Sequence, residues 1–166
     1  GEQMLRDTLP QEQKANEDTS KVSHITLPPG TVVLAADDSA VARMMIENGL
    51  QSMGVPYIMT KTGQEAWDML QSISDKAKAE GKRIQDKVAL VLTDLEMPVM
   101  DGFTLTRNIK QDSRFKDVPV IIHSSLTGST NEGHVKSVGA DAYIAKFMAE
   151  ELAATIREVL AKAGHR

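Results

Sequence analysis

The sequence predicts a three-layer α/β sandwich, with five parallel strands in one sheet and helices on both of its faces. Three observations predict it. Short apolar runs recur along the chain, too short for helices and rich in β-branched residues, as strands buried on both faces are. Amphipathic helical stretches separate these runs, and that alternation implies a parallel sheet. Four of the runs end on a charged or hydroxyl residue, and open α/β sheets hold their ligands at the C-terminal ends of the strands.

The first run is Val32-Val33-Leu34-Ala35, which ends on Asp37-Asp38. Ser39 is placed to cap the helix that follows. Ala42, Met45, Ile46, Gly49 and Met53 repeat at helical spacing, and Gly54 ends that helix. Tyr57-Ile58-Met59 is the second strand. Gln64 to Ala79 is the second helix, with Ala66, Leu70, Ile73 and Ala77 on one face. The charged residues Asp75, Lys76, Lys78, Glu80, Lys82 and Arg83 make its far end a solvated extension running into a loop.

Val88-Ala89-Leu90-Val91-Leu92 is the third and most apolar strand, and it stops on Thr93-Asp94. Met97-Pro98 cannot continue its ladder, and Asp101-Gly102 is a turn pair. Phe103 to Gln111 is the third helix, with Phe103, Leu105, Thr106 and Ile109 as its inward candidates, and Arg114 to Val118 reads as a polar link. Pro119 to His123 is the fourth strand, ending on Ser124-Ser125. Asn131 to Val138 is a weak helix ended by Gly139. Asp141 to Ala145 is the fifth strand, ending on Lys146. Glu150 to Ala163 is the last helix, with acidic residues in its first turn and Leu152, Ile156, Val159 and Leu160 on one face, as the helix dipole and amphipathic rules expect. Right-handed crossovers and five strands favour the flavodoxin-like order 2-1-3-4-5.

Residues 1–29 carry no sustained periodicity. Gln11 to Lys21 is almost wholly polar, and Leu27-Pro28-Pro29-Gly30 is a breaker cluster, so 1–29 reads as a flexible linker or tail before a domain over 30–166. Gly1 in place of a start methionine suggests a fragment or a cleaved tag. The formal net charge of −4 gives no nucleic-acid footprint, and no run approaches the length of a membrane span. With no cysteine, disulfides, thiolate catalysis and Cys-based zinc sites are excluded, which suits a cytoplasmic setting. Among other residues, His123 reads as a strand residue with no second metal-ligand pattern around it. Trp67 reads as a partly buried anchor, and the methionines as core or helix surface.

In the predicted order, the strand ends deliver Asp37, Asp38, Asp94, Ser124 and Lys146 to one rim. Three crowded carboxylates repel, at about 4 kcal/mol for a pair about 4 Å apart at an effective dielectric of ~20. Either protons stay on or a cation occupies the site, and oxygen donors beside a lysine suit a hard ion such as Mg²⁺. Carboxylate, cation, hydroxyl and ammonium together can hold a phosphoryl group, with Asp94 as nucleophile and the others offsetting charge on the phosphoryl oxygens.

The motifs D-D-S at the first strand end, L-T-D-L-E-M-P-V-M-D-G, P-V-I-I-H-S-S and G-A-D-A-Y-I-A-K, in this order, resemble those of two-component receiver domains. The resemblance covers about Thr31 to Lys162. It implies that Asp94 accepts a phosphoryl group from a histidine kinase. It implies Mg²⁺ bound by Asp38, Asp94 and the backbone carbonyl of Glu96, with Asp37 acting through water. Ser124 matches the switch hydroxyl, Tyr143 the aromatic that follows it inward, and the surface from about Asn131 to Leu160 the output face. The long charged segment after the second helix, R-F-K-D-V-P-V-I-I-H-S-S-L-T-G, and Lys146-Phe147 in place of Lys-Pro resemble the receivers of V-type chemotaxis coupling proteins (CheV). That likeness implies an upstream CheW-like domain linking the chain to a chemoreceptor array. Without proline a cis Lys146-Phe147 bond would cost about 3 kcal/mol, so a trans bond is expected. Glu96 and Leu126 flank the route of a hydrolytic water that neither would orient, so self-dephosphorylation is expected to be slow or moderate.

Other readings fit less well. A receiver serving as a phosphate sink fits the same motifs, while an inert interaction module sits poorly with a complete rim. A haloacid-dehalogenase-type phosphatase wants Asp, not Glu, at position 96. A flavodoxin relative wants a phosphate-cradling loop where Asp37-Asp38 stand. With the last helix ending near Arg166, no DNA-binding output is expected.

Overall fold

The computed structural model describes residues 24–124, 134–144 and 149–164. The elements are β1 (Val32–Ala36), α1 (Ala40–Ser52), β2 (Tyr57–Thr60), α2 (Gly63–Ala79), a 3₁₀ turn (Ile84–Asp86), β3 (Val88–Asp94), α3 (Gly102–Gln111), β4 (Val120–His123), β5 (Ala142–Ile144) and α5 (Ala149–Ala163). Between β4 and β5, residues 134–137 are helical and are referred to as α4. The strands are all parallel, in the order β2-β1-β3-β4-β5, as the sequence predicts.

The period-2 pleat explains why the strand runs are apolar throughout, since alternate residues feed two separate cores. Leu34, Ala36, Val91 and Ile122 join Leu70 of α2 and Leu105 and Ile109 of α3 in one cluster. Val33, Ala35, Leu92 and Ile121 join Ile46 and Leu50 of α1 and Ile156 of α5 in the other. β3 lies in the middle of the sheet, and its first six residues are buried. The strand that carries Asp94 is therefore anchored on both faces and both edges.

Three helices start at side-chain caps. Ser39, Thr62 and Asp101 accept from the N–H groups of Ala42, Glu65 and Thr104 at 3.2, 3.0 and 2.8 Å. Removing such a cap costs about 1 kcal/mol. Two glycines bring helix starts close to the loop after β3. A Cβ on Gly102 would lie 2.3 Å from the carbonyl oxygen of Asp94, and one on Gly63 would lie 2.2 Å from that of Met100. The N–H of Gly102 also donates to the Leu95 carbonyl at 2.8 Å, closing the loop on itself. Only glycine fits at either place.

The structure corrects three expectations. Met45 was expected on the inner face of α1, but it points outward, 46% exposed, as Met44 does at 60%. The inner stripe is Ile46, Gly49, Leu50 and Met53, the i, i+3, i+4, i+7 set that a straight helix lays on one side. The link Arg114 to Val118 is not simply polar. Phe115 is fully buried, edge-on to Trp67 with 5.5 Å between ring centroids, and the Arg114 guanidinium covers it at 4.4 Å. Trp67 is thus a partly buried anchor, as expected. Residues 24–29, assigned by composition to a flexible stretch, lie against the domain. The Ile25 N–H donates to the Met53 carbonyl at 3.1 Å, Arg157 donates to the His24 carbonyl at 3.1 Å, and Leu27 is buried among the core residues beside α1 and α5. A leucine directly before a Pro-Pro pair looks like loop in sequence because no periodicity surrounds it.

Candidate functional site

The site is built where β1, β3 and β4 end side by side. Asp94 is the last residue of β3 and is paired in register with His123, the last of β4. On the other side Ala36 pairs with Thr93, so Asp37 follows β1 out of the sheet beside Asp94. Asp37, Asp94 and His123 therefore form one row across three strands. All three share the parity of the strand residues that face α1 and α5. One ligand atom from each lies within 4.8 Å of the other two.

Each member is held by its local backbone. Asp37 is 2% exposed, and its Oδ1 accepts from the Ser39 N–H at 2.9 Å. The Arg43 guanidinium donates to the Asp37 carbonyl at 3.0 Å, and the Asp37 N–H donates to the Thr60 carbonyl at 3.2 Å. The Thr93 hydroxyl donates to the Asp94 carbonyl at 2.9 Å, and the Leu95 N–H to that of His123 at 2.9 Å. These bonds fix the direction in which β3 leaves the sheet.

Burial and crowding shift the acids. Asp94 is pushed up from 3.8 to about 7, first by burial and then by the charge of Asp37, with a smaller push from Asp38; the N–H groups of Glu96 and Leu95 oppose this. Asp37 is also raised, by burial above all, with Asp38 adding to it and the Ser39 N–H and Arg43 opposing. His123 is lowered to about 4 by burial, so its ring is neutral at neutral pH. Its Nε2 lies 3.7 Å from Asp37 Oδ2; with a neutral ring and at that distance this is a contact and not an ion pair. Two partly desolvated carboxylates whose ionisation is opposed by each other form a site that a divalent cation would complete. The donor set fits such an ion.

The other expected residues are placed as follows. Asp38 is exposed at the rim, outside the tight trio, although its charge reaches both Asp37 and Asp94. Glu96 is exposed in the loop after β3. Ser124 directly follows β4, 3% exposed, and its N–H donates to the Ile144 carbonyl at 3.1 Å. Tyr143 lies in β5, paired with Ile122 and partly buried against the core shared by α2 and α3. Lys146, the Lys146-Phe147 bond and Leu126 lie outside the described residues. His134 stacks on Phe103 with 4.0 Å between centroids, and among the described residues it belongs to no metal-binding set.

His123 is the site residue that the sequence reading left out. A histidine closing an apolar strand carries no ligand spacing with residues 29 and 86 positions away. Its only sequence signal is that it stands beside the rim hydroxyl Ser124 at a strand end.

A five-stranded 2-1-3-4-5 sheet with an acidic pair at the ends of β1 and β3 defines a receiver-type α/β module. The chain belongs to the response regulator receiver domain family, whose model matches residues 33–157. It is 32% identical over 151 residues to the chemotaxis protein CheV3 of Helicobacter pylori, covering 90% of this chain and 47% of that protein. The chain thus spans about half the length of the curated relatives it matches. The chemotaxis protein CheY4 of Vibrio cholerae superposes with a TM-score of 0.62 at 28% identity, covering 78% of this chain and 98% of CheY4. The receiver domain of a sensor histidine kinase from Pseudomonas aeruginosa PAO1, with a magnesium ion coordinated in its active site cleft, has the same fold. Its TM-score is 0.64 at 22% identity, covering 80% of this chain and 98% of that one. Among the described residues, no helix is long and apolar enough to cross a membrane.

Proposed function

We propose that this chain is the phosphoacceptor domain of a bacterial chemotaxis coupling protein, and that Asp94 is the residue phosphorylated. The observation that carries this reading is Asp94 itself. It stands half-buried at the end of the central strand, beside the buried carboxylate of Asp37, and its own charge is disfavoured until a cation or a phosphoryl group arrives. In the reaction, an Asp94 carboxylate oxygen attacks the phosphorus of a phosphohistidine on the kinase. The P–N bond breaks, its electron pair and a proton end on the departing imidazole, and an acyl phosphate remains on Asp94.

Mg²⁺ bound at the rim would offset charge on the carboxylates and the phosphoryl oxygens. Asp38, Asp94 and the Glu96 carbonyl would hold it, with Asp37 acting through water. Ser124 and Lys146 would bind the phosphoryl oxygens, and the movement of Ser124 would be followed by Tyr143. β5, α5 and the helix before β5 would then present the altered output face. Tyr143 lies next to Ile122 in register, one residue before the β4 end, so a shift at Ser124 has a short path to it.

The likeness to CheV proteins, and the half of their length that this chain spans, support a CheW-like domain upstream of the receiver. The kinase partner would be a chemotaxis histidine kinase, the setting the cytoplasm beside the receptor array, and the module a signalling domain rather than a turnover enzyme. Incubation with a small phosphodonor and Mg²⁺, followed by intact mass, tests the core of this reading. One added phosphoryl group, absent from Asp94→Asn, is expected. A wild-type protein that gains none with any donor would overturn it.

A further inference from the structure

The row Asp37, Asp94 and His123 contains a donor that an oxygen-only Mg²⁺ site does not need. His123 is buried, with its side chain 7% exposed, yet its Nε2 lies toward the carboxylates, 3.7 Å from Asp37 Oδ2.

We propose that Asp37, Asp94 and His123 form a three-donor nitrogen–oxygen site for a borderline divalent metal, with Zn²⁺ as the representative ion, distinct in ligand set from the Mg²⁺ site of the proposed phosphotransfer. The geometry supports it. Metal bonds of about 2.0–2.2 Å to nitrogen and carboxylate oxygen leave donor atoms roughly 3–4 Å apart. The three donors already lie within 4.8 Å of one another, so a contraction of about an ångström closes the set. Because the donors sit on the ends of three hydrogen-bonded strands, side-chain rotation and not sheet rearrangement supplies that contraction. The chemistry supports it too, since imidazole suits Zn²⁺ and its neighbours whereas Mg²⁺ favours oxygen alone, and affinities rise along the first-row series for such mixed sites. Asp94 belongs to both sets. A metal held by this trio therefore occupies the acceptor carboxylate and lowers phosphorylation instead of assisting it.

The inference rests on the reading that Asp37 and Asp94 bind a cation. Calorimetric titration of the protein with Zn²⁺ and, separately, with Mg²⁺ tests it, using wild type, His123→Leu and His123→Asn, with thermal unfolding to verify that each variant folds. Co²⁺ absorption provides a spectroscopic readout of the same site, and the absence of cysteine removes thiolate bands from it. The expected result is a loss of at least tenfold in Zn²⁺ affinity and a changed Co²⁺ spectrum in both variants, with Mg²⁺ affinity altered less than threefold. Zn²⁺ should also suppress phosphodonor labelling in wild type more than in either variant. Zn²⁺ affinity and Co²⁺ spectra unchanged by both substitutions would overturn this inference and leave the phosphoacceptor reading standing. Absence of binding by any divalent ion would overturn both the trio and the Mg²⁺ part of the proposed function.

Discussion

Replacing Asp94 by asparagine should stabilise the metal-free protein above neutral pH. A carboxylate whose folded pKa is raised binds its proton more tightly in the folded state than in the unfolded chain. The stability this confers is fully present below the unfolded value of 3.8 and is lost as pH rises through about 7. Each pH unit between those values is worth about 1.4 kcal/mol, which puts the upper bound for the ionised site near 4 kcal/mol. The carboxylate is only partly buried, and solvent screening reduces the expected penalty to roughly 2 kcal/mol. Asparagine keeps the shape and removes the charge, and it also relieves the repulsion on Asp37. For a domain of this size 1 kcal/mol moves the melting point by about 3 °C, so the variant should melt roughly 6 °C higher at pH 8. The assay is thermal unfolding of both proteins in EDTA from pH 5 to pH 8.5, read as the difference between them so that the remaining acids cancel. The gap should be about a third of its full size at pH 5, grow up to about pH 7, level off above that and close again when Mg²⁺ is added, because an ion bound to the folded wild type stabilises it by mass action. A gap that is constant with pH, or a variant less stable than wild type at pH 8, would refute the account of a strained acidic pair.

Three other outcomes are expected. Val99 has φ of 69° and is 90% exposed in the loop after β3, a left-handed conformation that a β-branched residue adopts only at a cost. Val99→Gly should therefore raise the denaturant midpoint, by about 1 kcal/mol of stability. The Lys110 ammonium lies 2.8 Å from Asp141 and 2.9 Å from the Val118 carbonyl, with both side chains about 15% exposed, and Asp141 also accepts from the Val120 N–H at 2.8 Å. Lys110→Met should cost about 3 kcal/mol in urea unfolding, since it leaves a buried carboxylate without that cation at the start of β4. Leu27→Ala should cost about 2 kcal/mol or more, read in the same way, because Leu27 is buried in the core beside α1 and α5; a negligible loss would refute that packing.

The sequence by itself determined the sheet, its order and the acids that end β1 and β3. The reason is local. β3 is a run of residues that can only be strand, it stops on Asp94, and Pro98 and Gly102 force the chain to turn there. The cap Ser39 was equally legible, because capping is a matter of three or four residues, whereas Asp101 read only as a turn residue and the structure shows that it caps α3. Tertiary structure alone decided which groups share the site. Asp37 and Asp38 are indistinguishable neighbours in sequence, yet the pleat turns one into the row with Asp94 and leaves the other in water. His123 enters that row only through β3–β4 register, a pairing between residues 29 positions apart in the chain that no local pattern encodes. The raised pKa of Asp94 has the same origin. Desolvation by two layers of helix and repulsion from a strand 57 residues earlier are both long-range. The sequence thus specified where the chain must end each strand, and packing specified what those ends do to one another.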